Sequence, residues 1–101
     1  MNVIAKKTLD GYAASYTDAA EQLGAWRKIF EKTDFKDINA VRAVLPTADF
    51  VDPYTIFNIK GNSYRLITII HFRYKRVYIR NFMTHAEYDQ WNEDRKRGKI
   101  K

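Results

Sequence analysis

The hydrophobic spacing along the chain changes once, near Tyr54, from the threes and fours of helices to the twos of strands. Val3-Ile4-Ala5 predicts a short opening strand, and Thr8 stands where a helix N-cap would, ahead of Leu9, Tyr12, Ala13 and Tyr16. Thr17-Asp18 is a second capping position: Glu21 lies three residues after Asp18, and Ala19, Leu23, Trp26 and Phe30 follow on one helical face. Asp37 is placed to cap a third, shorter helix with Ile38, Val41 and Leu45 inward, ended by Pro46. Beyond Tyr54, the segments 54–60 and 64–72 are rich in β-branched and aromatic residues, and Gly61-Asn62 between them marks a tight turn. Arg73-Tyr74-Lys75 then turns the chain into a third strand over 76–83, so the sheet is expected to be an antiparallel meander. Thr84-His85-Ala86-Glu87 has capping-box spacing, which starts a closing helix at His85 carrying Tyr88, Asp89, Trp91 and Asn92. The class is α+β.

With 101 residues, no repeats and only four Gly and two Pro, the chain reads as a single domain over 1–101, with a flexible tail expected from about residue 94. No basic segment followed by an apolar run opens the sequence, and no stretch is apolar enough to span a bilayer, so a soluble, cytoplasmic protein is expected, with no membrane partner. The absence of cysteine removes disulfides and thiolate metal sites, and two histidines are too few for a histidine cage, so neither metal nor cofactor is expected.

Charge changes the picture more than composition does. The net charge is +6, and it is uneven: residues 1–54 carry seven basic and eight acidic side chains, residues 55–101 eleven and four. A polyanionic partner is therefore sought on the second half.

Several polar side chains converge there. Arg65 shares a strand face with Ile67 and Ile69, where an arginine is costly unless it is paired or lines a cleft. Arg80 is read on one face with Tyr78 and Phe82, and the antiparallel pairing sets residue 65 opposite a position in the low eighties. Lys60, before the turn, is expected at the same end of the sheet. His85, Tyr88 and Asp89 lie three and four apart at a helix N-terminus. Arginine forks, a helix amino end and a histidine titrating near neutrality suit phosphate chemistry. Metal-free RNA cleavage needs a base for the 2′-hydroxyl, cations for the crowded phosphorane and an acid for the departing 5′-oxygen. The candidates are Arg65, Arg80, His85 and Tyr88 for catalysis and Lys60, Arg73 and Arg76 for holding the substrate. Ordinary structural roles stand beside these: Arg65 and Arg80 paired with Asp89 or Glu87, His85 a plain first-turn residue, Tyr88 and Trp91 core, Lys60 solvated surface, and His71 a strand histidine.

The runs Phe57-Asn58-Ile59-Lys60-Gly61-Asn62-Ser63-Tyr64-Arg65-Leu66-Ile67 and Val77-Tyr78-Ile79-Arg80-Asn81-Phe82-Met83-Thr84-His85-Ala86-Glu87-Tyr88-Asp89 resemble, in order and spacing, the HigB toxins of type II toxin-antitoxin systems. Weaker similarity reaches upstream through the Asp18 to Trp26 helix and Ala48-Asp49, so it covers most of the chain, but only the two C-terminal blocks are specific. The resemblance implies the RelE/ParE fold, with N-terminal helices packed on an antiparallel sheet and a C-terminal helix. It implies a ribosome-dependent mRNA interferase that meets ribosomal RNA and is neutralised by a HigA-type antitoxin with a helix-turn-helix domain. By the same resemblance Arg65 and Arg80 hold and stabilise the scissile phosphate, while His85 and Tyr88 transfer protons or stack on bases. Two rivals remain at this point, a ParE-like inhibitor of DNA gyrase and a basic module that grips RNA without cutting it.

Overall fold

The switch in spacing at Tyr54 separates a helical layer from a sheet. The computed structural model describes residues 1–98. The elements are β1 (Asn2–Ile4), α1 (Lys6–Ser15), a 3-10 turn (Thr17–Ala19), α2 (Ala20–Lys32), α3 (Ile38–Val44), β2 (Asp49–Val51), β3 (Tyr54–Ile59), β4 (Tyr64–His71), β5 (Arg76–Thr84) and α4 (His85–Lys96). No helix among the described residues is long and apolar enough to cross a membrane.

One five-stranded sheet runs in the order β1-β5-β4-β3-β2. The expected meander is β3, β4 and β5, and the short β2, which the spacing did not announce, adds antiparallel to β3. The sheet is mixed rather than purely antiparallel, because β1 pairs in parallel with β5, Val3 opposite Val77. A parallel neighbour needs a long crossover, and here everything between the first and last strand supplies it.

The two faces bury different sets. Val3, Phe57, Ile59, Leu66, Val77 and Phe82 meet Leu9, Leu23, Trp26 and Phe30 in the larger core. Phe30 and Leu66 are both 0 % exposed, and each contributes about 1.5–3 kcal/mol by burial. On the opposite face Tyr54, Ile56, Ile67 and Met83 form a smaller cluster under Tyr88 and Trp91 of α4. Strand alternation therefore gives Arg65, Ile67 and Ile69 to the α4 side and Leu66 to the helical layer.

Local signals succeeded or failed by what else claimed the side chain. Asp37 accepts from the Ala40 amide at 2.9 Å and starts α3 as expected, with Val41 buried inward. Thr84 and Glu87 form the full capping box of α4. Thr8 is no cap, since α1 begins two residues earlier with Ala5 at its N-cap. Asp18 does not cap α2 either: its carboxylate accepts the Tyr64 hydroxyl at 2.9 Å and pairs with Lys60 at 3.1 Å. Residues 94–96 form the last turn of α4 rather than the start of a tail, while Lys99 and Lys101 lie outside the described residues.

Candidate active site

Arg65 and Tyr88 meet on the face covered by α4, and His85 starts that helix at the same end of the sheet, while Arg80 stands apart. Arg65, the second residue of β4, lies opposite Met83 of β5, within the low eighties expected from the sequence. Between Ile67↔Asn81 and Thr68↔Ile79 the pairing slips by one residue, and Arg80 is the extra one. Such a bulge re-aims side chains and breaks the alternation. This corrects the expected face: Phe82 belongs to the helical-layer core, stacked on Tyr12 and Tyr64, whereas Tyr78 lies opposite Ile69 and contacts His71. Arg80, between them, is exposed.

Arg65 is only 8 % exposed, yet its guanidinium finds no carboxylate among the described residues. It donates to the backbone oxygens of Asn62 (3.2 Å) and Tyr64 (3.1 Å) and to the Asn62 side-chain oxygen. It also lies over the Tyr88 ring, 5.5 Å from its centroid. Neutral acceptors fix the fork without cancelling its charge, so a buried cation is left for an anion to satisfy.

The carboxylates that could have neutralised these arginines are engaged elsewhere. Glu87 accepts from the Thr84 amide at 2.9 Å, and Asp89 meets His85 Nδ1 at 3.1 Å. The His85–Asp89 contact engages Nδ1 and leaves Nε2 as the ring nitrogen not facing the carboxylate. The His85 amide donates to Ser63 O at 3.0 Å, which ties the start of α4 to the β3–β4 turn. Tyr88 is half-buried, stacked on Trp91. Burial first, then the charge of Asp49, pushes its phenol above the ordinary range, only partly opposed by Arg65 and Arg95. It stays protonated near neutrality.

The ion pairs divide the molecule. Lys6, Arg27, Arg42, Lys60 and Lys75 each meet a carboxylate of the first 54 residues. Among the described residues Arg65, Arg73, Arg76, Arg80 and Arg95 meet none, so the charge excess of the second half stands uncompensated on the sheet and α4.

Three expected residues are not in this group. Lys60 turns to the helical layer, held by Asp18, with its amide accepted by the Gln22 side chain. Arg73 and Arg76 sit at the opposite hairpin of the sheet, roughly 20 Å along β4 and β5 from Arg65. Arg73 stacks over Tyr74 instead. Sequence reading missed two members. The spacing marks Asn62 only as a turn residue and places Arg95 in the tail, though the Arg95 guanidinium bonds Asn92 at 3.0 Å on the helix that carries Tyr88. The spacing 88, 92, 95 was the available signal.

Comparison with known proteins identifies the family. Residues 19–91 match the HigB toxin family, the RelE-like toxic component of a toxin-antitoxin system. The chain is 34 % identical over 92 residues to the mRNA interferase toxin HigB of Escherichia coli K12, covering 88 % of each chain. It is equally similar to the mRNA interferase HigB of Shigella flexneri, and 28 % identical over 93 residues to that of Escherichia coli O6:H1, covering 89 % of this chain and 90 % of the relative. A match over most of the chain, on the α+β fold and through both blocks that build the site, places it plainly: this chain belongs to the HigB family of RelE-like toxins.

Proposed function

We propose that the chain is an endoribonuclease that cuts messenger RNA by metal-free attack of a 2′-hydroxyl on the adjacent phosphate. The observation that carries this reading is the buried, uncompensated Arg65, fixed over Tyr88 beside the His85–Asp89 pair. His85 Nε2 takes the 2′-hydroxyl proton as the oxygen attacks phosphorus. Arg65 and Arg80 stabilise the charge that builds on the phosphorane. The bond to the 5′-oxygen then breaks, leaving a 2′,3′-cyclic phosphate, and the Tyr88 phenol gives the departing oxygen its proton.

Three further points belong to the same reading. Cutting depends on the ribosome, which presents the messenger already bent for in-line attack, a geometry a free strand adopts only at an entropic cost. Arg73 and Arg76 hold the messenger, and the net positive charge of the protein docks it on ribosomal RNA. The partner that holds the toxin silent in the cytoplasm is a HigA-type antitoxin with a helix-turn-helix domain.

The test is to incubate the protein with a translating ribosome complex and with the same messenger free in solution, mapping 5′ ends by primer extension, and to repeat both with Arg80→Ala and His85→Ala. Cuts confined to the ribosome and lowered about a hundredfold in each variant support the reading. No cutting in either setting sinks it, and a supercoiling assay with gyrase and an RNA-binding titration then decide between the two rivals.

A further inference from the structure

The α4 side of the sheet carries four residues that cleavage itself does not use. Ile69 pairs with Tyr78 and His71 with Arg76, at the end of β4 and β5 away from His85. Their strand neighbours Thr68 and Val77 are fully buried toward the helical layer, so these four look the other way, onto the face that bears Arg65. Tyr78 is half-buried and meets the His71 ring edge-on, with centroids 5.2 Å apart at 80°. His71, Arg76 and Arg80 are exposed. Neither arginine meets a carboxylate among the described residues. The face therefore runs from the catalytic group, past the exposed Arg80 at the slipped residue, to a pair of flat rings and ends on another free guanidinium. Tyr78 is two strand residues from Arg80, about 7 Å, which is within reach of a nucleotide next to the one being cut.

We propose that Tyr78, braced by His71, is a stacking platform for the base of a nucleotide flanking the scissile phosphate, with Arg76 on that nucleotide's phosphate. The proposal rests on the endoribonuclease reading and extends it to a second subsite. A ring standing on a sheet face between guanidinium groups is the composition with which proteins hold single-stranded RNA, since every base offers a π-face and every linkage a charge. A purely structural role would make the Tyr78–His71 contact a cross-strand pair that stabilises the hairpin alone.

The experiment compares wild type, Tyr78→Phe and Tyr78→Leu on a synthetic messenger in the setting where the wild type cuts, with melting temperatures measured alongside. A second messenger lacks the base at one flanking position at a time. Stacking predicts that Tyr78→Leu lowers kcat/KM roughly ten- to a hundredfold on intact RNA, while Tyr78→Phe stays near wild type. At one flanking position, removal of the base lowers the wild type to the level of Tyr78→Leu and leaves Tyr78→Leu unchanged. Equal cutting by wild type and Tyr78→Leu overturns the proposal, as does a loss of equal size on intact and abasic RNA or one that merely follows a fall in melting temperature. If the wild type cuts no RNA, the enzyme reading fails and takes the subsite with it; if the wild type cuts and only the Tyr78 result fails, the enzyme reading stands.

Discussion

Arg65 separates a functional from a structural account of the site, because the two predict opposite couplings between stability and activity. Replacing it with Met keeps the length of the stem and removes the charge. Of the three acceptors left behind, both on Asn62 lie in the exposed β3–β4 turn, where water can reach them, and the Tyr64 oxygen lies beside it at the first residue of β4. No carboxylate is orphaned among the described residues, and an uncompensated buried cation is relieved. The net change in folding free energy should therefore fall within about 1 kcal/mol, a shift in Tm of at most roughly 4–8 °C for a domain of this size. An arginine that anchored a buried ion pair would instead cost about 3–5 kcal/mol on removal. Cleavage behaves differently: loss of one preorganised donor aimed at the phosphorane costs on the order of 10²–10³ in kcat, about 2.7–4 kcal/mol of barrier. The assay is a single-turnover cleavage rate set beside a thermal melt for wild type, Arg65→Met and Arg65→Lys. Met is expected to be folded and nearly inactive. Lys, which keeps the charge but not the fork, should lie between the two. A variant that loses 3 kcal/mol or more with activity falling in step, or one that stays folded and cuts at the wild-type rate, refutes the argument.

Asp89→Ala should lower kcat about tenfold while leaving KM and Tm nearly unchanged, because it frees the His85 ring without touching the substrate; a change in KM alone in steady-state kinetics would contradict this positioning role. Thr84→Ala removes the α4 cap and should cost about 1 kcal/mol in a denaturant melt, with a larger loss of cleavage than of stability because His85 begins that helix. Asp18 is held below the usual carboxylate range by hydrogen bonds from Lys60 and Tyr64. A lowered folded-state value means stability that is present above the ordinary carboxylate range and is lost as pH falls through the lowered value. Asp18→Asn should therefore lower Tm slightly at neutral pH and flatten the acid limb of a Tm-versus-pH curve, so that the two curves converge at low pH; an unaltered acid limb would count against the contact.

The sequence by itself determined the parts that depend on neighbours along the chain. Helix and strand periods on either side of Tyr54, the Asp37 cap, the Thr84–Glu87 box and the pairing of residue 65 with the low eighties are all local or follow from one hairpin turn, so spacing alone reports them. The grouping of Arg65 with His85 and Tyr88 was legible for the same reason, since two adjoining strands and the helix that continues the second leave little freedom. Tertiary structure decided what depends on competition between distant partners. Asp18 had a sound local use as a cap and was drawn instead to Tyr64 and Lys60, which also removed Lys60 from the site. Arg80 had an even-numbered place on its strand until a single slipped residue set it between two faces. β1 paired with the last strand rather than with any neighbour in sequence, and Arg95 joined the Tyr88 face because α4 extends past the point where composition suggested a tail. The physical difference is range: periodicity and capping are settled within a turn or two of backbone, whereas a charged side chain goes to whichever partner the packed chain brings closest, and that choice exists only once the sheet has formed.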